Sequence, residues 1–280
     1  MDHIPIELWQ TIFNLTKPLE RDKLQALNKG FKTKLTKKAI TIISYNTLAQ
    51  RYVTPYIETR YKHVDNMAIL EWSYRLPLIF QQINNYDIIC LQEVELATIN
   101  DILLLFPDYA YGYHVINKKR NCPIGNVTMW KKQLFVCDNI ELTSCAVFTT
   151  LIYIKTAYKF TIANIHLKAG LKSGEPDRVN QMKSIVKRFE KINTGFICGD
   201  YNDILYEGSP VKALLNRFTI LPGDMSCMVC DGEHNPNYFL FDQICSTNMQ
   251  LKVWPCPDPV YIPTKDHPSD HYPRIFEILL

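Results

Sequence analysis

The spacing of apolar residues changes character near residue 39. Before it, Ile4, Leu8, Ile12 and Leu15 recur at helical spacing behind Pro5, and Leu19, Leu24, Leu27 and Phe31 suggest a second short helix. A basic stretch over residues 29–38 then reads as a linker, so residues 1–36 are expected to form a separate helical segment. Beyond it come short apolar runs rich in Ile, Val, Phe and Tyr, each bounded by turn residues. They cover 40–44, 87–91, 125–130, 147–154, 160–165, 195–198, 238–241 and 274–279, all of strand length. Three helical patterns interrupt them. One over 178–192 sets Val179, Met182, Ile185, Val186, Phe189 and Ile192 on one face; one over 74–82 tolerates Pro77 only in a first turn; one over 98–106 is stopped by Pro107. Many strands and few helices predict an α/β protein over residues 39–280: two packed mixed sheets flanked by helices, a four-layer sandwich.

Composition supports a large core: 47% of the 280 residues are hydrophobic, 21% are charged, and only 10 are Gly. No apolar run is long enough for a membrane span and the first nine residues lack a signal-peptide core, which argues against a membrane or secreted protein. Nine Cys, an odd number without a disulfide framework, point to reduced thiols and an intracellular, cytoplasmic setting. The net charge of +3 is uneven. Residues 1–38 carry 8 Lys/Arg against 4 Asp/Glu, and the rest carry 23 against 24. A body this close to neutrality does not grip nucleic acid by bulk electrostatics, so any polyanion must be handled at a local site.

That site is suggested by how the apolar runs end. Asn46, Glu93, His166, Asp200 with Asn202, and Asp242 each close or follow a strand-like run, and Asp270 with His271 precede the last one. Carboxylates and amides without clustered thiolates are hard oxygen ligands, suited to magnesium or manganese and to phosphate-ester chemistry. A neighbouring Asp can orient a water, and a His held by a second carboxylate can stabilise charge on phosphorus. No Walker-type loop and no Gly-x-Ser-x-Gly elbow is present.

The stretches Ser44-Tyr-Asn-Thr-Leu-Ala49, Leu91-Gln-Glu-Val94, Asn164-Ile-His-Leu-Lys-Ala169, Cys198-Gly-Asp-Tyr-Asn202 and Ser269-Asp-His271 resemble, in wording and order, the signatures of the endonuclease/exonuclease/phosphatase superfamily. The resemblance spans residues 39–280. Glu71-Trp-Ser-Tyr-Arg75 and the His-Leu-Lys-Ala wording are similar to the deadenylase and nocturnin branch. This likeness implies a DNase I-like fold and a magnesium-dependent 3′-5′ exoribonuclease acting on poly(A), with manganese an alternative and one or two ions bound. It implies Glu93 as principal metal ligand, Asn46 near the metal or phosphate, and Asp200 and Asn202 around the water, phosphate or a second metal. It further implies His166 on the phosphate, Asp242 paired with His271, and Asp270 as a metal ligand or support. Lys168, Gln181 and Arg178 become substrate-contact candidates, with a solvated helix-end charge as the alternative for Arg178. Alternative activities are a nucleotide 2′-phosphatase, a DNA nuclease, or an inositol or lipid phosphatase.

Some features stand outside this frame. Ile124-Gly125 replaces an Asp-Gly pair usual in relatives, and the segment between Asp203 and Asp242 is short. Cys227, Cys230 and His234 have zinc-like types but no second pair, so a turn-rich loop is the simpler reading. Tyr238 and Phe239 offer either a base-stacking face or core. Residues 118–120 and Lys131-Lys132 could line a phosphate-binding rim or be solvated. Residues 4–31 are similar to an F-box, which implies docking to a cullin-ligase adaptor; a helical cap is the alternative, and an adaptor whose body binds RNA would be its functional form.

Overall fold

The computed structural model describes residues 39–116, 123–170, 172–223, 225–230, 236–256 and 261–280. The expected helical segment 1–36, with its F-box-like stretch 4–31, lies outside these residues, as do the basic residues 118–120 and His234. The first strands are β1 (Ala39–Asn46), β2 (Ile88–Glu95), β3 (Tyr109–Ile116), β4 (Ile124–Lys131), β5 (Phe135–Leu142), β6 (Ala146–Tyr153) and β7 (Tyr158–His166). They are followed by β8 (Gly195–Asp200), β9 (Thr219–Ile220), β10 (Cys227–Cys230), β11 (Pro236–Phe239), β12 (Asp242–Thr247), β13 (Leu251–Val253) and β14 (Arg274–Leu279). Helices are α1 (Gln50–Val53), α2 (Trp72–Ile83), α3 (Ile99–Leu104), α4 (Glu175–Phe189) and α5 (Pro210–Leu214).

Two six-stranded sheets result, ordered β13-β14-β1-β2-β4-β3 and β5-β6-β7-β8-β12-β9, with β10 and β11 a separate hairpin. Each sheet is built around one parallel pair, β1 with β2 and β7 with β8, flanked by antiparallel neighbours. Strand alternation then sorts side chains into layers. Ile40 and Ile42, Ile88 and Cys90, Phe160 and Ile162, Phe196 and Cys198 face inward and form the core between the sheets. Ile43, Tyr45, Ile89 and Leu91 face outward against Ile79 and Ile83 of α2 and Ile99 and Ile102 of α3. Ala163, Ile165 and Ile197 pack outward on Met182, Ile185 and Phe189 of α4. Helix, sheet, sheet, helix is the four-layer sandwich expected from the sequence.

The inward faces change chemistry along the strands. After the apolar residues come Ser44, Gln92, Asn126 and Asn164, all buried. Gln92 donates to Asn164 Oδ1 (2.8 Å) and Ser44 Oγ (3.2 Å). Asn164 donates across the interface to the carbonyls of Leu91 (3.1 Å) and Val127 (2.9 Å), and Asn126 donates to those of Cys145 and Asn164. These amides clamp the sheets together one layer beneath the strand ends.

Some local expectations are corrected. The run 238–241 is not one strand: it ends β11, breaks, and leads into β12. Helix α2 begins before residue 74, so Pro77 falls inside it rather than in its first turn. Lys131 and Lys132 sit at the opposite strand end from the candidate site, bonded to Asp87 Oδ1 (3.1 Å) and the Pro107 carbonyl (2.9 Å), and do not form a phosphate-binding rim.

Candidate active site

The C-terminal ends of the two parallel pairs meet at one edge of the sandwich. From β7 and β8, His166 and Asp200 continue the inward series and lie opposite each other in register. Asp242, the first residue of β12, pairs with Asp200 in register on the other side. From β1, Asn46 is the last inward residue. Glu93 cannot reach this edge by alternation alone, because it follows the inward Gln92. The pairing of β2 with β4 shifts between Leu91 and Val94, and Glu93 has φ +57°. This irregularity turns the carboxylate towards the site, as bulges commonly re-aim a side chain.

Asn46 sits at the centre. Its amide donates to Glu93 Oε1 (3.1 Å) and Asp200 Oδ2 (3.0 Å), while its Oδ1 accepts from Leu48 N. Glu93 Oε2 accepts from Ala49 N at 2.9 Å. His166 Nε2 lies 3.7 Å from both Glu93 Oε1 and Asp200 Oδ2. His271 Nδ1 donates to Asp242 Oδ2 at 2.7 Å and its Nε2 stands 3.8 Å from Asp200 Oδ2. Asn202, at φ +50°, donates its backbone N–H to Asp200 Oδ1 and its side-chain amide to the Leu167 carbonyl, which locks Asp200 in place.

Ligand atoms of Glu93, His166 and Asp200 all lie within 4.8 Å of one another, close enough to share a metal ion. Two carboxylates in that set suit a hard divalent cation. Asp270 is not part of this trio; its Oδ2 accepts from the buried Tyr61 hydroxyl at 3.0 Å. Burial pushes the carboxyls of Asp200 and Asp270 above the usual range, against the opposing pull of His271. For His271 burial disfavours the cation, but Cys227 and the Asp242 carboxylate outweigh it and hold the imidazole well above its ordinary value. The Cys227 thiol is itself pushed up to about 12 by burial, so at neutral pH the charged partner is Asp242.

The substrate-contact candidates spread out. Lys168 is exposed, and its backbone N–H donates to Gln181 Oε1 at 2.9 Å. Tyr238 packs against Met228, Ile262 and Tyr272. Arg178 is not a solvated helix-end charge: it is 1% exposed and bonds Asp203 Oδ2 (3.2 Å) and the carbonyls of Lys168 and Gly170. Arg75, which enters the sequence reading only as part of the Glu71–Arg75 stretch and not as a site residue, is fully buried on α2. It donates to the carbonyls of Leu70, Thr47 and Pro268 and to Gln50 Oε1, tying down the loops after Asn46 and before Asp270. The available signal was an arginine on the helix stripe shared with Ile79 and Ile83.

The fold is that of solved endonuclease/exonuclease/phosphatase proteins, such as the one from Bacteroides vulgatus (TM-score 0.63, 16% identity, 86% of this chain and 99% of that one). The human Nocturnin catalytic domain with bound sulfate matches with TM-score 0.64 and 20% identity over 88% of this chain and 95% of that one. ANGEL2, a 2′,3′-cyclic phosphatase in complex with adenosine-2′,3′-vanadate, matches with TM-score 0.68 and 16% identity over 86% and 96%. By sequence, the chain is similar to the CCR4-Not complex 3′-5′-exoribonuclease subunit Ccr4 of two yeasts. It is 42% identical to the Candida glabrata protein over 84 residues and 31% identical to the Saccharomyces cerevisiae protein over 131 residues. These stretches are 29% and 46% of this chain but only 9% and 14% of those proteins. No family model matches the chain. Among the described residues no helix is long and apolar enough to cross a membrane.

Proposed function

We propose that the chain is a divalent-metal-dependent phosphodiesterase that shortens RNA from its 3′ end, with poly(A) its favoured substrate. The observation that carries the reading is the trio Glu93, His166 and Asp200, within 4.8 Å, beside the hydrogen-bonded pair Asp242 and His271. The stretch-wise similarity to Ccr4 exoribonucleases supports the polarity and the substrate. Glu93 and Asp200, with His166, would hold magnesium or manganese. Such an ion supplies Lewis-acid stabilisation of charge growing on the phosphate oxygens.

The remaining work falls to the chain's own groups. Asn46 holds both carboxylates in one orientation through its two N–H bonds. Asp200, fixed by Asn202, orients a water in line with the phosphorus. Asp242 fixes His271 through Nδ1 and favours its protonated form, which turns the imidazole into a donor towards the developing oxyanion. Asp270 and Tyr61 support that loop. The test is incubation with magnesium and three labelled substrates: RNA ending in adenosines, matched DNA, and a 2′-phosphorylated dinucleotide. A ladder of shortened RNA is the expected result. Phosphate released from the dinucleotide with RNA left intact would assign a nucleotide phosphatase instead.

A further inference from the structure

The ligand cluster is rich in anionic groups, yet a polynucleotide brings further phosphates to it. The loop following α1 carries a cation suited to one of them. Arg60 is exposed, and its Cζ lies 4.7 Å from the centroid of the Tyr56 ring. Stacking on an aromatic face fixes the guanidinium plane and leaves its edge donors for an oxyanion. No described carboxylate lies within ion-pair distance of Arg60, unlike Lys131, Arg178 or Arg188.

The loop is rigidly seated rather than loose. The next residue, Tyr61, is 1% exposed, packs with Leu48, Val53, Val64, Ile69 and Leu70, and donates its hydroxyl to Asp270. The backbone N–H groups of Arg60 and Tyr61 both bond the Tyr56 carbonyl, closing a turn that holds Tyr56 beside Arg60. Arg60 thereby follows a fixed turn and adjoins Tyr61, whose hydroxyl bonds Asp270, the residue before His271. Its charge is felt at the buried Tyr61 hydroxyl and at Asp270.

We propose that Arg60, backed by Tyr56, forms a subsite for a second phosphate of the substrate, next to the one being cleaved. The inference rests on the phosphodiesterase reading. Its ligand chemistry is a phosphodiester or pyrophosphate oxyanion, supplied by the RNA backbone or by a dinucleotide.

The experiment compares wild type, Arg60→Ala, Arg60→Lys and Tyr56→Ala on adenosine-ended RNA, a 2′-phosphorylated dinucleotide, and bis(p-nitrophenyl) phosphate, a diester with one phosphate. Arg60→Ala should raise KM about three- to tenfold on a substrate with a second phosphate and less than twofold on the one-phosphate diester. Arg60→Lys should recover part of the loss and Tyr56→Ala should show a smaller one. The effect should shrink in high salt. An effect on RNA alone identifies the polynucleotide backbone; an effect on the dinucleotide identifies its pyrophosphate. Equal changes on all three substrates, or none, overturn the subsite. Should wild type cleave none of them, the functional reading fails. Fluorescence anisotropy of labelled RNA in calcium still reads Arg60 then: weaker binding by Arg60→Ala supports the subsite, and unchanged binding overturns it.

Discussion

In the second sheet His166, Asp200 and Asp242 arrive at the site simply as inward positions of β7, β8 and β12, following Ile162, Cys198 and the register with Asp200. In the first sheet only Asn46 does so, and Glu93 needs an irregular turn of β2 at φ +57°. The covering helices repeat the contrast. Each of these two covering helices carries a buried arginine that ties down loops at the strand ends: Arg75 from α2 and Arg178 from α4. Arg178 has a carboxylate partner in Asp203, whereas Arg75 is bonded to carbonyls and one glutamine, and burial lowers its proton affinity. The comparison teaches that similar topologies can present ligands by strand period alone or by a local departure from it, with the loops anchored separately.

The largest expected effect breaks both halves equally. Glu93→Gln and Asp200→Asn should each lower kcat by about 10³-fold with the melting temperature within about 5 °C of wild type, measured by single-turnover hydrolysis and calorimetry. Next come the arginines. Arg178→Met leaves Asp203 buried without its counter-ion, held only by the Ser209 hydroxyl, and should cost roughly 3–5 kcal/mol in urea unfolding. Arg75→Met strands only neutral acceptors and should cost less, roughly 2–3 kcal/mol; equal losses would erase the distinction. A third change sharpens the strand-delivered half. Gly199 has φ +134°, and a Cβ there would stand 2.1 Å from the Ile165 carbonyl oxygen, so Gly199→Ala should destabilise by roughly 2–3 kcal/mol. The smallest effect is on thiol reactivity. Burial pushes Cys245 on β12 up to about 12, so alkylation at pH 8 should modify the partly exposed Cys137 well before it.

The layering was legible because alternation is strict. Residues 40–44 and 160–165 carry apolar side chains for both faces, and the pattern over 178–192 gave the helix that covers the second sheet. Strands with mixed faces escaped notice: β3 interleaves Tyr, Gly and His, and β5 is half-exposed with Asp138 and Asn139 in its middle. Pro77 suggested a later helix start, but flanking turns and tertiary packing carry the helix past it. The polar ends of the strands marked the site, since ionisable groups closing apolar runs need a reason to be buried. The turn at Glu93, the Asn164 clamp and the Arg75 anchor were hidden because they depend on contacts between distant segments. Of the two alternatives for Arg178, the solvated charge fails for the same reason: its partner Asp203 lies 25 residues away.

The central claim is that a carboxylate from each sheet shares one divalent ion. Manganese binding followed by electron paramagnetic resonance, on wild type, Glu93→Ala, Asp200→Asn and the double variant, tests it directly. The account predicts one tight ion for wild type, its loss in either single variant, and little further loss in the double one. Wild-type affinity in both single variants, or two independent and additive losses, would contradict it.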